Sequence, residues 1–146
     1  MLLESIRARV LAIPFKQTFK HASAERSASL SIWVEVRTTE GLTGFGEGCP
    51  RGYVTAESLT SAGDFITAHR SDWLAGIHDL TSLGEWVVRH RTAIDANPAA
   101  WAAVELALLD VLGKHENKTV ECLLGLPEIE GDFRYSASFP SEARCT

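Results

Sequence analysis

Two carboxylates interrupt the most apolar run of the chain, Glu105 and Asp110, and paired carboxylates are a common means of general acid and base chemistry. Their spacing argues against that use. Residues five apart on a helix point about 140° from each other, whereas groups sharing a face are three or four apart. Asp110 instead pairs with Lys114 at i, i+4, and Glu105 is expected to find a backbone or Arg partner at a packing interface, because unpaired charge is rarely buried. Glu47, at a strand end beside glycine, has the chemistry of a general base, but acids so placed more commonly satisfy backbone donors. The glycines of Gly44-Phe45-Gly46-Glu47-Gly48 are not spaced as Gly-x-Gly-x-x-Gly, and no Lys-Ser or Lys-Thr pair opens a helix after them, which argues against a phosphate cradle. Glycine at every second strand position clears one face and lets another layer approach closely. His69, His90 and His115 are read as helix-surface residues, for want of a second ligand three or four residues on. Cys49, Cys122 and Cys145 lack a Cys-x-x-Cys partnership, so free thiols are expected, with Cys49 as a small buried residue.

These side chains need a scaffold, and 146 residues with 45% hydrophobic content suffice for about one domain with one core. A formal charge of -5, from 19 acids against 14 bases, with no run of Lys or Arg, argues against a nucleic-acid or anionic-membrane partner. No stretch of about 18 uncharged apolar residues is present, and Glu4, Arg7 and Arg9 spoil a leader reading. The expectation is a soluble, unprocessed protein of a reducing cytoplasm.

The scaffold is organised around 97–114. Asn97 is expected to cap a helix with Pro98 at its first position, and no breaker follows until Gly113. Ala99, Ala103 and Ala107 recur every fourth residue as a narrow ridge, with Trp101, Leu108 and Leu112 on the other flanks. Upstream, 5–15 alternates as a strand ending near Pro14, and 16–29 lacks a period and reads as a loop of about a dozen residues. The segment 30–37 alternates clearly, Glu40-Gly41 turns, and 42–47 returns antiparallel. Thr55 is expected to cap a helix lasting to about Arg70, with Ser58 at its third position, and Asp79 or Thr81 to cap another. Thr119 to Leu124 forms a short helix ended by Gly125 and Pro127, and 133–139 is a further strand. The fold class is therefore α+β, a three-stranded antiparallel meander followed by a helical bundle.

Four segments in order carry a resemblance: Thr-Glu-Gly-Leu-Thr-Gly-Phe-Gly-Glu-Gly at 39–48, Pro-Arg-Gly-Tyr-Val-Thr-Ala-Glu-Ser at 50–58, Ala-Val-Glu-Leu-Ala-Leu-Leu-Asp-Val-Leu-Gly-Lys at 103–114 and Glu-Cys-Leu-Leu-Gly-Leu at 121–126. Together they resemble the amino-terminal domain of the enolase superfamily, in the branch of muconate lactonizing enzymes, dipeptide epimerases and mandelate racemase. Phe45 stands where that pattern usually has Trp, and Ala56 and Ser58 where it usually has Gly and Thr. The resemblance implies a capping domain over about 1–130, with 131–146 beginning a (β/α) barrel that the rest of the protein supplies. It implies abstraction of a proton α to a carboxylate, with Mg²⁺ stabilising the enediolate, and it places the catalytic lysines and metal carboxylates on later barrel strands. No catalytic or metal residue is then expected within this chain. What it implies here is substrate contact by Phe19, His21, Arg51 and Tyr53, with Ser136 and Ser138 facing the barrel interior. The partners implied are the protein's own barrel, a small carboxylate substrate and a second copy of the chain in a homo-oligomer. The competing reading is a freestanding α+β binding or interaction module without catalysis.

Overall fold

The computed structural model describes residues 1–21, 24–127, 131–132 and 134, with the backbone alone at residues 17, 19–21 and 24–26. Leu3–His21 (β1), Ala24–Thr38 (β2) and Thr43–Gly48 (β3) form one antiparallel sheet in the order β1-β2-β3. Ile6, Val34 and Val36 are buried on its inner face, and Gly41 takes φ 88° in the turn that leads to β3, a conformation open to glycine. The expected meander is present, but 16–29 is mostly strand rather than loop. β1 runs past Pro14 with a register irregularity between Pro14 and Phe19, and Phe19 and His21 lie opposite Arg26 and Ala24. The physical reason is exposure on both sides. Val10, Ile13 and Leu30 are 54%, 54% and 42% exposed, so this hairpin extends beyond the helical layer and lacks the one-sided burial that writes a period of two into a sequence.

Among the described residues five helices follow: Leu59–Gly76 (α1), Leu80–Arg89 (α2), Arg91–Ala96 (α3), Pro98–Glu116 (α4) and Val120–Leu123 (α5). α4 is the central element, buried at Ala99, Trp101, Ala103, Ala107, Leu108 and Leu112 among others. Its alanine ridge meets the glycines of β3. A Cβ on Gly44, Gly46 or Gly48 would run into the carbonyl oxygen of Ala107, Ala103 or Ala99 in turn. The match follows from geometry, because two strand residues advance about 6.6 to 6.8 Å and four helix residues about 6.0 Å. On the far side of α4, Trp101 stacks on Trp86 of α2 at 4.9 Å between centroids and meets Trp73 of α1 at 6.2 Å. The aromatic triad joins the three long helices into one core.

The helix starts differ from expectation in instructive ways. Ser58, not Thr55, caps α1, accepting from the Ser61 amide at 3.0 Å while the Ser61 hydroxyl accepts from the Ser58 amide at 2.9 Å. Thr55 cannot start the helix because Ala56 has φ 59°, in the left-handed region. α1 also continues past Arg70 to Gly76, and Asp79 caps α2 through the Ser82 amide. At α4, Asn97 makes no side-chain cap and donates instead to the Ala93 carbonyl at 3.0 Å. The cap is Glu57, 3% exposed, whose two oxygens accept from the amides of Ala99 at 2.8 Å and Ala100 at 2.9 Å. A carboxylate there meets both the unpaired donors and the positive end of the helix.

The interior charges resolve as separate structural groups. Asp110 accepts from Lys114 at 2.7 Å and from the Phe45 amide at 2.9 Å, while Lys114 also donates to the Thr43 carbonyl at 2.8 Å. Asp110 thus anchors β3 to α4. Glu105 bonds the Trp101 side chain rather than a backbone group or Arg, and burial pushes its carboxyl above the usual range. Cys49 is exposed, against expectation, because it follows the last inward-facing glycine of β3; it and Cys122 are free thiols. Glu47 is likewise exposed on β3, opposite Trp33.

Candidate functional site

The loop between β3 and α1 is held at both ends. Glu57 fixes its far end to α4, and Arg51 fixes its near end to β2 by donating through Nη1 to the Leu30 carbonyl at 2.6 Å and the Pro50 carbonyl at 2.9 Å. Within it, the amides of Val54 and Thr55 donate to the Arg51 carbonyl at 2.9 and 2.8 Å, closing a compact turn that the positive φ of Ala56 then redirects into α1. Between this loop and the root of the β1–β2 hairpin lies a cleft of about 560 Å³, bordered by Ser27, Ala28, Leu30, Pro50, Arg51 and Tyr53. Tyr53 stands at its rim, 64% exposed, and Val54, next in the loop, is 70% exposed. An apolar wall with one cation beside it suits a small ligand that carries both an apolar part and an anionic group.

The structure brings Arg51 and Tyr53 together here. Phe19 and His21 lie on β1 in the hairpin, placed by backbone alone. Ser136 and Ser138, the expected strand at 133–139 apart from residue 134, and residue 130 at the proposed boundary lie outside the described residues. Sequence reasoning missed Glu57 and the cleft-lining Ser27, Ala28 and Leu30. Glu57 gave no local signal, because the amides it serves are 42 and 43 residues further on. A second depression, of about 410 Å³, lies beside Asp110, Lys114 and Lys118. Its charged groups are already committed, Lys114 to Asp110 and Lys118 to Glu116 at 2.7 Å each.

Two of the three histidines depart from expectation, while His115 lies on the helix surface as expected. His115 pairs with Glu40 at 3.2 Å on the surface. His69, however, does have a ligand three residues on, Asp72, at 4.0 Å from its Nδ1. His90 joins them, so that one ligating atom from each of the three lies within 4.8 Å of the others. Burial lowers the pKa of His69, with His90 acting in the same direction and Asp72 against it. Among the described residues this is the set of three metal-ligating side chains that converges. Its two imidazoles do not suit magnesium, which takes oxygen ligands in octahedral geometry.

The profile of the mandelate racemase / muconate lactonizing enzyme N-terminal domain matches residues 5–125. The chain belongs to this family. This mandelate racemase / muconate lactonizing enzyme domain is 30% identical over 141 residues to an L-Lys-D/L-Arg epimerase of Methylococcus capsulatus, covering 97% of this chain and 37% of that protein. It is 30% identical over 125 residues to a hydrophobic dipeptide epimerase of Enterococcus faecalis, covering 86% of this chain and 35% of the relative. Among solved structures, a dipeptide epimerase from Methylococcus capsulatus complexed with Mg and the dipeptide L-Arg-D-Lys superposes with a TM-score of 0.73 at 28% identity, over 86% of this chain and 35% of that one. The domain therefore spans little more than a third of the length of these relatives. The three-stranded sheet followed by helices is the amino-terminal fold of the enolase superfamily, and the solved relative is itself a magnesium complex. None of the helices described is long and apolar enough to cross a membrane.

Proposed function

We propose that this domain is the substrate-selecting cap of a metal-dependent isomerase or lyase that abstracts a proton α to a carboxylate, with small dipeptide-like acids as its substrate class. One observation carries the reading: the loop of 50–58 is fastened to β2 and α4 by Arg51 and Glu57, yet offers Tyr53 and Val54 outward beside an apolar cleft. A rigidly based, outwardly apolar loop is suited to closing over a reaction chamber and excluding water from it. The chain itself is then inert. In the cleft the carboxylate of Glu57 is buried and occupied by two amides, so it is not placed to move a substrate proton. Catalytic groups and any Mg²⁺ belong to a carboxyl-terminal barrel of the same protein, in the cytoplasm and as a homo-oligomer.

In this role Tyr53, with Phe19 and His21 from the hairpin, contacts the distal part of the substrate, and Ser136 and Ser138 look into the barrel. Arg51 acts first as the clamp that sets the loop. Any carboxylate it recognises is met by guanidinium nitrogens other than Nη1, which already serves two carbonyls. The test is a dipeptide panel assayed with the full reading frame. Tyr53→Ala and Phe19→Ala should change the ranking of kcat/KM among dipeptides while the best substrate remains epimerised. An unchanged ranking, a frame lacking a Lys-x-Lys strand and three spaced acids, or turnover by residues 1–146 alone would each overturn the proposal.

A further inference from the structure

Where α1 meets α2, His69 and Asp72 lie on one face of α1 as an i, i+3 pair, and His90 caps the end of α2 beside them. The His69 and His90 rings are 5.4 Å apart between centroids and nearly perpendicular, at 76°. His90 is fixed in two ways. Its ring stacks on Trp86 at 4.1 Å and 10°, and its Nδ1 lies 2.9 Å from the Trp86 carbonyl. A carbonyl only accepts, so Nδ1 carries the hydrogen and the neutral ring presents its lone pair at Nε2. That arrangement, one imidazole nitrogen held by a carbonyl so that the other is directed outward, is how metal-ligating histidines are commonly oriented.

We propose that His69, Asp72 and His90 form a binding site for a late first-row divalent cation of the Zn²⁺ type, linking α1 to α2. Two imidazoles and a carboxylate match the ligand preference of Zn²⁺, Co²⁺ and Ni²⁺ and leave at least one coordination position open to solvent. Ligand atoms about a tetrahedral zinc stand about 3.3 Å apart, from metal–ligand distances of about 2.0 to 2.2 Å. The observed separations, within 4.8 Å, close by side-chain rotation about the metal. Asp72, with its side chain 59% exposed, has the most freedom to move, and His69, at 22%, adjusts its ring within the packed pair. The site is separate from magnesium chemistry and requires no contribution from a barrel.

The two indoles nearby supply a readout. His69 lies 5.4 Å from the Trp86 ring and 5.9 Å from Trp73, so Ni²⁺ or Cu²⁺ held there should quench their fluorescence. With untagged chain, Zn²⁺ should bind with one equivalent and raise Tm, Co²⁺ should give the visible absorption of a tetrahedral nitrogen and oxygen site, and Mg²⁺ should do neither. Asp72→Asn, at an exposed position that leaves packing intact, and His90→Gln should each weaken Zn²⁺ binding at least about tenfold, since loss even of an outer partner costs 10- to 100-fold. His115→Gln should leave it unchanged. Far-UV circular dichroism confirms folding of each variant. Binding that survives both Asp72→Asn and His90→Gln in folded protein, or a folded wild-type chain that takes up no Zn²⁺, Co²⁺ or Ni²⁺, would overturn the site.

Discussion

Ala56 holds φ 59°, a conformation that costs an alanine about 1 kcal/mol and a glycine almost nothing. It is also where the family pattern usually has Gly, so the sequence departure and the backbone outlier are one fact. Ala56→Gly should raise stability by about 0.5 to 1 kcal/mol in urea unfolding, and a loss would mean that the methyl group packs usefully. Its neighbour Glu57 caps α4 from inside the protein. Removing it in Glu57→Ala strands two buried amides, at a cost of about 3 kcal/mol, and Glu57→Gln, retaining one acceptor oxygen, should fall between. Equal stability of all three would refute the capping role. Glu105 is the opposite case, a carboxyl that burial raises above its usual 4.5. The folded chain then holds its proton to higher pH than the unfolded chain does, so stability falls as pH rises from about 4.5 through the raised value. Glu105→Gln should gain on wild type across that window in urea midpoint, and a difference independent of pH would exclude the effect.

At the scale of elements, the contact of β3 with α4 is fixed by absent side chains. Gly46→Ala drives a methyl group into the Ala103 carbonyl and the Ala107 amide and should cost at least about 3 kcal/mol or prevent folding, since a backbone cannot yield as a flexible side chain does. Gly63→Ala, in α1 with nothing within 4 Å of the new Cβ, should gain about 0.5 to 1 kcal/mol. Thermal unfolding of the pair separates close approach from glycine content, and similar shifts in both would dismiss the ridge. This contact was legible because both partners repeat, glycine every second residue and alanine every fourth. The Asp110–Lys114 pair was legible for the same reason, being local. The capping of α4 by Glu57, the meeting of His69 with His90 and the hairpin beyond Pro14 were not. The first two depend on residues distant in sequence, and the third is exposed on both faces and so carries no alternation.

For the whole molecule, the side chains that remain exposed are as informative as the core. Val10, Ile13, Phe15 and Leu30 on the hairpin and Tyr53 and Val54 on the loop are each at least 40% exposed, and they belong to the two segments that border the cleft. Scattered apolar residues are ordinary on a surface, but apolar residues concentrated in the segments proposed to close over a barrel have a specific expected cover. On the proposed reading the 146-residue chain should bind a hydrophobic dye or self-associate in sedimentation, and the full reading frame should do so much less. Ile13→Lys with Val54→Lys should lower dye binding by the isolated chain without unfolding it, because neither side chain is buried in the core. The same double substitution in the full frame should impair catalysis by preventing closure. A monodisperse, dye-silent wild-type chain would show that these side chains cover one another, leaving the cleft without the apolar margin on which a cap depends.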